Sequence, residues 1–364
     1  MACPSRWSSA TRDPRVSDRM AIATVDTSVA EQVAAVRGGL GVFDLSDRGK
    51  LRVTGSERAT WFHGMGSNDV EGLSVGAGNL GAVLTDRGKM LGDYRLIVRE
   101  EDLLVDTEPG LGAALAERLD RFLISEDAAI SDEADAWSLF GIAGPAAAAR
   151  LSDRLSVDVG GLEEHASLTA TTDDGDVTIA CRNRTGEMGY DLWIARDAGE
   201  ALWATLTADG VAEVGADALE ALRIEAAIAR YGMDTDEDII PLEAGLYQAI
   251  DFEKGCYVGQ EIVARMHYRG HPNKLLVGLR FDGEPTVELR AELFEEGDDS
   301  KARGFVTSLA HSPTLGAMIG LGYARTQFAE AGSRLRAAAA DGFAWVEVVP
   351  TPFVPSPFPE AKAP

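Results

Sequence analysis

The stretch from Tyr231 to Lys274, YGMDTDEDIIPLEAGLYQAIDFEKGCYVGQEIVARMHYRGHPNK, divides the chain into two parts with different sequence patterns. Before it, runs with helical spacing alternate with short strand-like runs. After it, short alternating runs are separated by turns rich in Gly, Asp and Pro. The pattern predicts a mixed helix-and-strand region followed by a small C-terminal barrel or sandwich.

The part before this stretch contains three predicted helices. One extends over Ser56 to Met65, with Ser56 as N-cap, and another over Ala216 to Arg230. A third buries a face formed by Leu111, Leu115, Leu119 and Phe122. Predicted strands include 42–53 around a polar turn, 82–85, 94–98, 103–105, 136–142 and 177–180.

The segment Lys254 to Glu261, KGCYVGQE, is the most specific motif in the sequence. Glycines on both sides of Cys256 let the backbone approach a ligand, and a lysine two residues away favours a reactive thiol. These features predict an exposed, functional cysteine. The alternative is a buried cysteine in a turn, because free cysteine is among the most buried residue types.

This motif resembles the signature of the YgfZ family, in which a lysine, a cysteine and an aromatic residue precede Gly-Gln-Glu. The resemblance extends from about Phe43 to Arg325 and includes the related T-protein of the glycine cleavage system. It implies a folate-binding scaffold. The motif residues are Lys254, Gly255, Cys256, Tyr257, Gly259, Gln260 and Glu261.

Two acidic residues fall where the resemblance implies folate contacts. In TGEMGYDLW (185–193), Asp191 takes the place of the acid that grips the pterin, where the T-protein usually has the longer glutamate. In RGKMLGDYRLIV (87–98), Asp93 takes the place of the T-protein's catalytic aspartate, with Asn79 and Tyr94 as further pocket linings. The alternative for Asp93 is a solvated hairpin residue.

The resemblance implies that tetrahydrofolate or a derivative is bound and that Cys256 serves iron–sulfur assembly proteins or client enzymes. Those clients would include iron–sulfur enzymes that modify tRNA, so the protein would act in one-carbon and cluster metabolism as an accessory protein. One alternative is a folate-dependent aminomethyltransferase-like enzyme that uses Asp93. Another is a folate-binding regulatory module without chemistry.

Composition limits the remaining function classes. A net charge of -25 repels phosphate backbones, so broad nucleic-acid binding is not expected. No apolar run approaches the roughly 20 residues that cross a bilayer, and the N-terminus lacks a secretory pattern, so we expect a cytoplasmic protein. Three cysteines, Cys3, Cys181 and Cys256, are too few and too dispersed for a disulfide framework.

Other stretches of the sequence resemble known binding motifs only in part. Gly76, Gly78 and Gly81 have dinucleotide-fingerprint spacing but precede a strand, and the acids at 234–238 lack the glycine and terminal acid of a calcium loop. We expect no metal site at His267 and His271, because glycine and proline interrupt any helix there. A basic strip is formed by Arg265, His267, Arg269, His271 and Lys274. We expect it to bind either the glutamate tail of a folate or an acidic partner. The alternative is a solvated turn that neutralises nearby acids.

We therefore expect an α+β, aminomethyltransferase-like fold with discontinuous, ferredoxin-like N-terminal subdomains and a C-terminal β-barrel around a folate cleft. The expected boundaries are a disordered tail over 1–20, the folate-binding region over 21–272, the barrel over 273–350 and a loose Pro-rich tail over 351–364. Met20 is a second candidate for the start of the chain.

Overall fold

The computed structural model describes residues 27–358. The predicted N-terminal tail, Cys3 and Met20 lie outside the described residues, as do the last six residues of the predicted Pro-rich tail. No helix among the described residues is long and apolar enough to cross a membrane.

Helices and strands follow one another along the described chain in an α+β order. They are α1 (Val29–Gly38), β1 (Gly41–Asp44), β2 (Gly49–Thr54), α2 (Arg58–Met65), β3 (Gly78–Leu84), β4 (Met90–Val98), β5 (Leu103–Thr107), α3 (Gly112–Asp120), β6 (Ala129–Asp132), β7 (Trp137–Ala143), α4 (Ala147–Leu155), β8 (Ser167–Thr172), β9 (Gly175–Cys181), β10 (Gly189–Ala195), α5 (Gly199–Thr207), β11 (Ala212–Glu213), α6 (Ala216–Glu225), α7 (Gln260–Arg269), β12 (Lys274–Phe281), β13 (Glu292–Phe294), β14 (Gly304–Ser312), β15 (Ala317–Arg325), β16 (Arg334–Ala339) and β17 (Gly342–Val349).

Two open sheets and one closed barrel contain these strands. The first sheet has the order β3-β4-β5-β2-β6, and the second has the order β11-β1-β7-β10-β9-β8. Strand β1 thus belongs to the second sheet, while β2 to β6, which follow it in the chain, form the first. The C-terminal strands close into a barrel in the order β12-β15-β14-β13-β16-β17.

The two open sheets pack face to face. Ile97 and Leu104 of the first sheet share a buried cluster with Phe43, Leu139 and Trp193 of the second. The outer face of the first sheet is covered by α2 and α3, and that of the second by α4 and α5. Charged side chains on the two inner faces are therefore enclosed between the sheets.

Several predicted helix boundaries differ from the structure. Ser56 does not cap α2: its hydroxyl bonds to Asp127, and Glu57 takes the N-cap position without a side-chain bond. Phe122 lies beyond the end of α3 and is exposed. Helix α6 ends at Glu225 rather than Arg230, because the chain turns through a left-handed conformation at Ala227, whose φ is 55°.

The described part of the C-terminal tail is packed, in contrast to the loose tail that the sequence predicted. The backbone N–H of Phe353 donates to the carbonyl of Glu225 at 2.9 Å. Phe353 packs against the cluster that joins α6 to the barrel, and Phe358 is buried on the outer face of the second sheet. The prolines keep the segment out of the sheets, but its aromatic side chains pack against the α6–barrel cluster and the second sheet.

Candidate functional site

The central site is a cluster of buried charges between the two sheets. On the first sheet, Arg95 of β4 is paired with Asp106 of β5, which is paired in turn with Lys50 of β2. Asp93 lies two residues before Arg95, so its side chain projects from the same face of the sheet. All four residues are buried.

A continuous chain of ion pairs joins the two sheets through this cluster. Arg184 contacts Asp191 and Asp106, each at 2.6 Å. Arg48 pairs with Asp106 and, at 2.8 Å, with Glu108, and Glu108 also accepts from Arg230 at 2.9 Å. These arginines hold the pKa values of Asp106 and Glu108 below their ordinary values although both are buried.

Asp93 and Arg95 make no ion pair with the residues of this network. The Oδ1 atom of Asp93 and one terminal nitrogen of Arg95 are buried and have no hydrogen-bond partner within the described chain. Burial raises the pKa of Asp93 to about 6, against the opposing effect of the Arg95 charge. The solvated-hairpin alternative for Asp93 is therefore excluded, and the two side chains offer an acceptor and a donor to a polar ligand.

Asp191 of β10 lies on the inner face of the second sheet, beside Ala180 of β9, and its carboxylate pairs with Arg184 of the same charge cluster. It is paired across the sheet with Gly141 of β7, and the ring of Phe43 covers that glycine. The carboxylate of Asp191 accepts three contacts of 2.6–3.1 Å from Arg184. Asp191, the predicted pterin contact, is therefore already paired with Arg184.

Asn79 and Tyr94 project from the opposite face of the first sheet. Asn79 is paired with Leu96, whose side chain faces α2, and its amide donates to the Asp69 carbonyl. The ring of Tyr94 packs against Phe62 of α2 with 5.2 Å between centroids. The structure does not bring these two predicted pocket residues together with Asp93.

Cys256 lies on an exposed loop outside this cluster. Its exposure excludes the alternative of a buried structural cysteine. The ammonium of Lys254 points away from solvent and donates to the carbonyls of His63, Gly66 and Asn68. Burial lowers the pKa of Lys254 to about 8. The lysine therefore ties the cysteine loop to the segment that follows α2.

The remaining motif residues shape the loop. Gly259 has a φ of 86°, and a Cβ at this position would lie 2.5 Å from the Thr85 carbonyl oxygen. The Gln260 amide donates to the carbonyls of Lys254 at 3.4 Å and Gly255 at 3.5 Å. Tyr257 is buried and Glu261 is exposed. Gly259, unlike Gly255, is thus required by its backbone conformation.

Two groups of residues near these sites were not predicted from the sequence. His63 lies beside the cysteine loop: a Cβ at Gly255 would be 3.5 Å from its Nε2, and its Nδ1 is 3.0 Å from Asp69 Oδ1. Arg95 and Arg184 complete the inter-sheet cluster. Arg95 follows Asp93 by two positions on a strand, so alternation would have placed it on the same face.

The predicted basic strip is divided by the structure. Arg265, Arg269 and His271 are exposed, whereas the ring of His267 stacks on Phe252 with 3.9 Å between centroids. Lys274 instead lines an open cleft of about 480 Å³ on the barrel, together with Phe305, Tyr323, Arg290, Arg303 and Arg325.

Comparisons with known proteins agree with this architecture. The GCVT N-terminal domain model matches residues 2–254, and the glycine cleavage T-protein C-terminal barrel domain matches residues 274–355. An aminomethyltransferase of Thermosynechococcus vestitus is 30% identical over 336 residues, 92% of this chain and 90% of that protein. One of Rubrobacter xylanophilus is 31% identical over 290 residues, 79% of this chain and 77% of that protein.

A solved structure shares the whole fold. The glycine cleavage system aminomethyltransferase T from Bartonella henselae superposes with a TM-score of 0.83 at 23% identity, covering 91% of each chain. The predicted α+β, aminomethyltransferase-like fold with a C-terminal barrel is therefore confirmed. The family match and the overlap with the two aminomethyltransferases show that this chain belongs to the glycine cleavage T-protein family.

Proposed function

We propose that the protein binds tetrahydrofolate or a derivative between its two sheets and acts as an aminomethyltransferase-like one-carbon protein. The observation that carries the proposal is the pair Asp93 and Arg95, which is buried with polar atoms that lack partners. Among the buried side-chain atoms of residues 27–358 that lack a partner, Asp93 Oδ1 is the one carboxylate oxygen, and a buried atom of this kind calls for a ligand, an ion or water. Relatives that share most of the chain are named aminomethyltransferase, which supports a folate-type ligand.

The residues of the cluster have distinct proposed roles. Asp93, with a pKa of about 6, can accept or release a proton near neutral pH and so faces a reactive folate amine. Arg95 donates to an oxygen of the ligand. A carboxylate has about four lone-pair sites, so Asp191 retains room for one donor of the pterin edge beside the three contacts of Arg184.

Calorimetric titration with tetrahydrofolate tests the binding step. Arg95→Met keeps the length of the side chain but removes its donors, and we expect it to weaken binding about tenfold or more. Arg121→Met, at the exposed residue that follows α3, is the matched control and should bind like the wild type. Equal affinity of the Arg95 variant and the wild type would remove the inter-sheet cluster from the proposal.

Turnover tests the transferase step separately. Methylenetetrahydrofolate should form from an aminomethylated lipoyl carrier, and Asp93→Asn should lower the rate about 100-fold because the amide cannot exchange the proton. Tetrahydrofolate that binds normally but gives no product with the wild-type protein would leave a binding function without this reaction.

A second candidate function, an accessory role of the YgfZ type, is favoured by the exposure of Cys256. The thiol lies on a loop held by the half-buried Lys254, and the T-protein reaction needs no thiol. In this role the folate-loaded protein presents Cys256 to an iron–sulfur assembly protein or client, including tRNA-modifying enzymes. A single thiol supplies one of the four ligands that a cluster normally takes, so the partner contributes the others.

Genetic complementation separates the two candidates. In cells that lack this protein, Cys256→Ala should fail to restore iron–sulfur enzyme activity while it leaves tetrahydrofolate binding and aminomethyl transfer unchanged. Cys3→Ala is the matched control and should restore activity fully. Full restoration by Cys256→Ala would eliminate the accessory role of the thiol and leave the transferase candidate standing.

A further inference from the structure

We propose that the exposed face of α7 is a docking surface for an acidic segment of a partner protein and that it guides this segment to Cys256. This α7 face consists of Arg265, Tyr268, Arg269 and His271. The inference deepens the accessory role and rests on that proposed function, because the docked partner is the one whose reactive group meets the thiol.

The helix geometry places these side chains on one surface. Arg265, Tyr268 and Arg269 are separated by three and four positions, which brings residues onto a common side of a helix, and His271 follows the helix end. Val263 on the opposite side is buried. Tyr268 is 64% exposed, which is unusual for a large aromatic side chain in a folded domain.

The cysteine loop is attached directly to this helix. Phe252 of the loop stacks on His267, and its ring lies 6.3 Å from that of Tyr268. Gln260, the first residue of α7, donates to the carbonyls of Lys254 and Gly255 next to Cys256. A segment bound along the α7 face therefore lies next to the loop that carries Cys256.

The charges on this face are free to meet a partner. Arg265 and Arg269 make no ion pair within residues 27–358, in contrast to the arginines of the inter-sheet cluster. Glu261 lies four positions before Arg265 on the same side of α7 and is exposed, as is Glu253 of the loop, so the basic charge is confined to the C-terminal half of the helix. The chain as a whole carries a net charge of -25.

This contrast in charge selects an acidic partner and orients it. The acidic remainder of the molecule repels an acidic segment, while the α7 face attracts it, so encounters are steered to one place. Tyrosine and arginine are also the residue types that dominate binding hot spots, and Tyr268 stands between two arginines. A nucleic acid is disfavoured by the net charge.

The rate of disulfide exchange at Cys256 measures docking without knowledge of the natural partner. The probe is a peptide of six glutamates followed by a cysteine that carries a 2-pyridyl disulfide; its neutral counterpart has six serines. The Cys256 thiolate attacks the peptide sulfur, a protein–peptide disulfide forms, and pyridine-2-thione leaves and is measured by absorbance. The chain carries Cys3→Ser, and Cys181 is buried with a pKa raised to about 11.

We expect the glutamate peptide to react about tenfold faster than the serine peptide at low salt, because attraction to the α7 face raises the local concentration of an anionic peptide by at least this factor. The advantage should disappear between about 0.01 M and 1 M salt, as the Debye length falls from about 30 Å to about 3 Å.

Two double variants with the same change in net charge complete the test. Arg265→Glu with Arg269→Glu should abolish or invert the preference for the glutamate peptide, whereas Arg118→Glu with Arg121→Glu at the C-terminal end of α3 should preserve it. An unchanged rate with the serine peptide shows that the cysteine loop is still folded. A wild-type protein that reacts no faster with the glutamate peptide would overturn the proposal. That result would leave folate binding and complementation by Cys256 untouched, since neither is measured here.

Discussion

Asp93 combines burial with a carboxyl oxygen that has no partner within residues 27–358. Neighbouring Asp106 is equally buried, but two arginines neutralise it and lower its pKa. The raised pKa of Asp93 thus accompanies missing contacts, in contrast to the lowered pKa of Asp106.

The raised pKa of Asp93 predicts a pH-dependent cost in the ligand-free protein. The ordinary value is 3.8 and the folded value is about 6, so the folded state binds the proton more tightly than the unfolded state. This contribution to the free energy of unfolding is therefore lost as pH rises from about 4 through about 6. Asp93→Asn stays neutral and should be more stable than the wild type by about 1–3 kcal/mol at pH 7.5.

Urea unfolding of both proteins at pH 4.5 and pH 7.5 checks this expectation. The stability difference should be small at the lower pH and larger at the higher one. A difference that does not change with pH would show that Asp93 is ionised in both folded and unfolded states.

Lys254 should act through the backbone of the segment after α2. Lys254→Met leaves three carbonyls without their donor, so we expect a loss of about 1–3 kcal/mol of stability. Amide hydrogen exchange should accelerate over residues 63–70. Lys274→Met is the control, because its ammonium lies over the rings of Phe305 and Tyr323 rather than on backbone carbonyls. Equal exchange in both variants would contradict a clamping role.

At the scale of elements, the turn into α7 depends on one glycine. Gly259→Ala forces a Cβ into a backbone with a φ of 86° and against the Thr85 carbonyl, so we expect a loss of about 1–3 kcal/mol. Gly255→Ala is the matched control within the same motif. Its added Cβ would have its nearest neighbour at 3.5 Å, an ordinary contact. Thermal unfolding of the two variants should rank them clearly, and equal stabilities would contradict the account of the turn.

Local sequence patterns predicted most elements because hydrophobic periodicity is a local property. Strands β4 and β9, for example, include the runs predicted at 94–98 and 177–180, and the strands after Lys274 close into the predicted barrel. The errors occur where distant contacts decide the structure. The Ser56 hydroxyl donates to the carboxylate of Asp127 and so does not cap α2. The backbone carbonyl of Glu225 accepts from the N–H of Phe353, near the other end of the chain.

The same distinction holds for the candidate site. The resemblance to a family identified Asp93 and Asp191 as expected ligand contacts, but their relation depends on Arg184 and Asp106, which bring two sheets together. Arg184 and Asp106 are separated by 78 positions in the sequence. Asn79 and Tyr94 were grouped with Asp93 because they share its hairpin, although strand pairing places them on the other face.

At the scale of the whole molecule, the C-terminal segment joins the barrel to the second sheet. Truncation after Pro350 removes Phe353 and Phe358 from two buried clusters, and we expect a loss of about 2–4 kcal/mol. Truncation after Phe358 removes none of these contacts and is the control. Urea unfolding should show a lower midpoint for the first truncation alone. Equal midpoints would mean that the segment adds nothing to the fold.

The central claim is that the charges between the two sheets hold a reduced folate, and a crystal structure with tetrahydrofolate tests it most directly. The account predicts ligand density between the sheets, with a donor within about 3.2 Å of Asp93 Oδ1 and an acceptor facing Arg95. Density confined to the open barrel cleft lined by Lys274 and Arg325, with Asp93 still unpartnered, would contradict it.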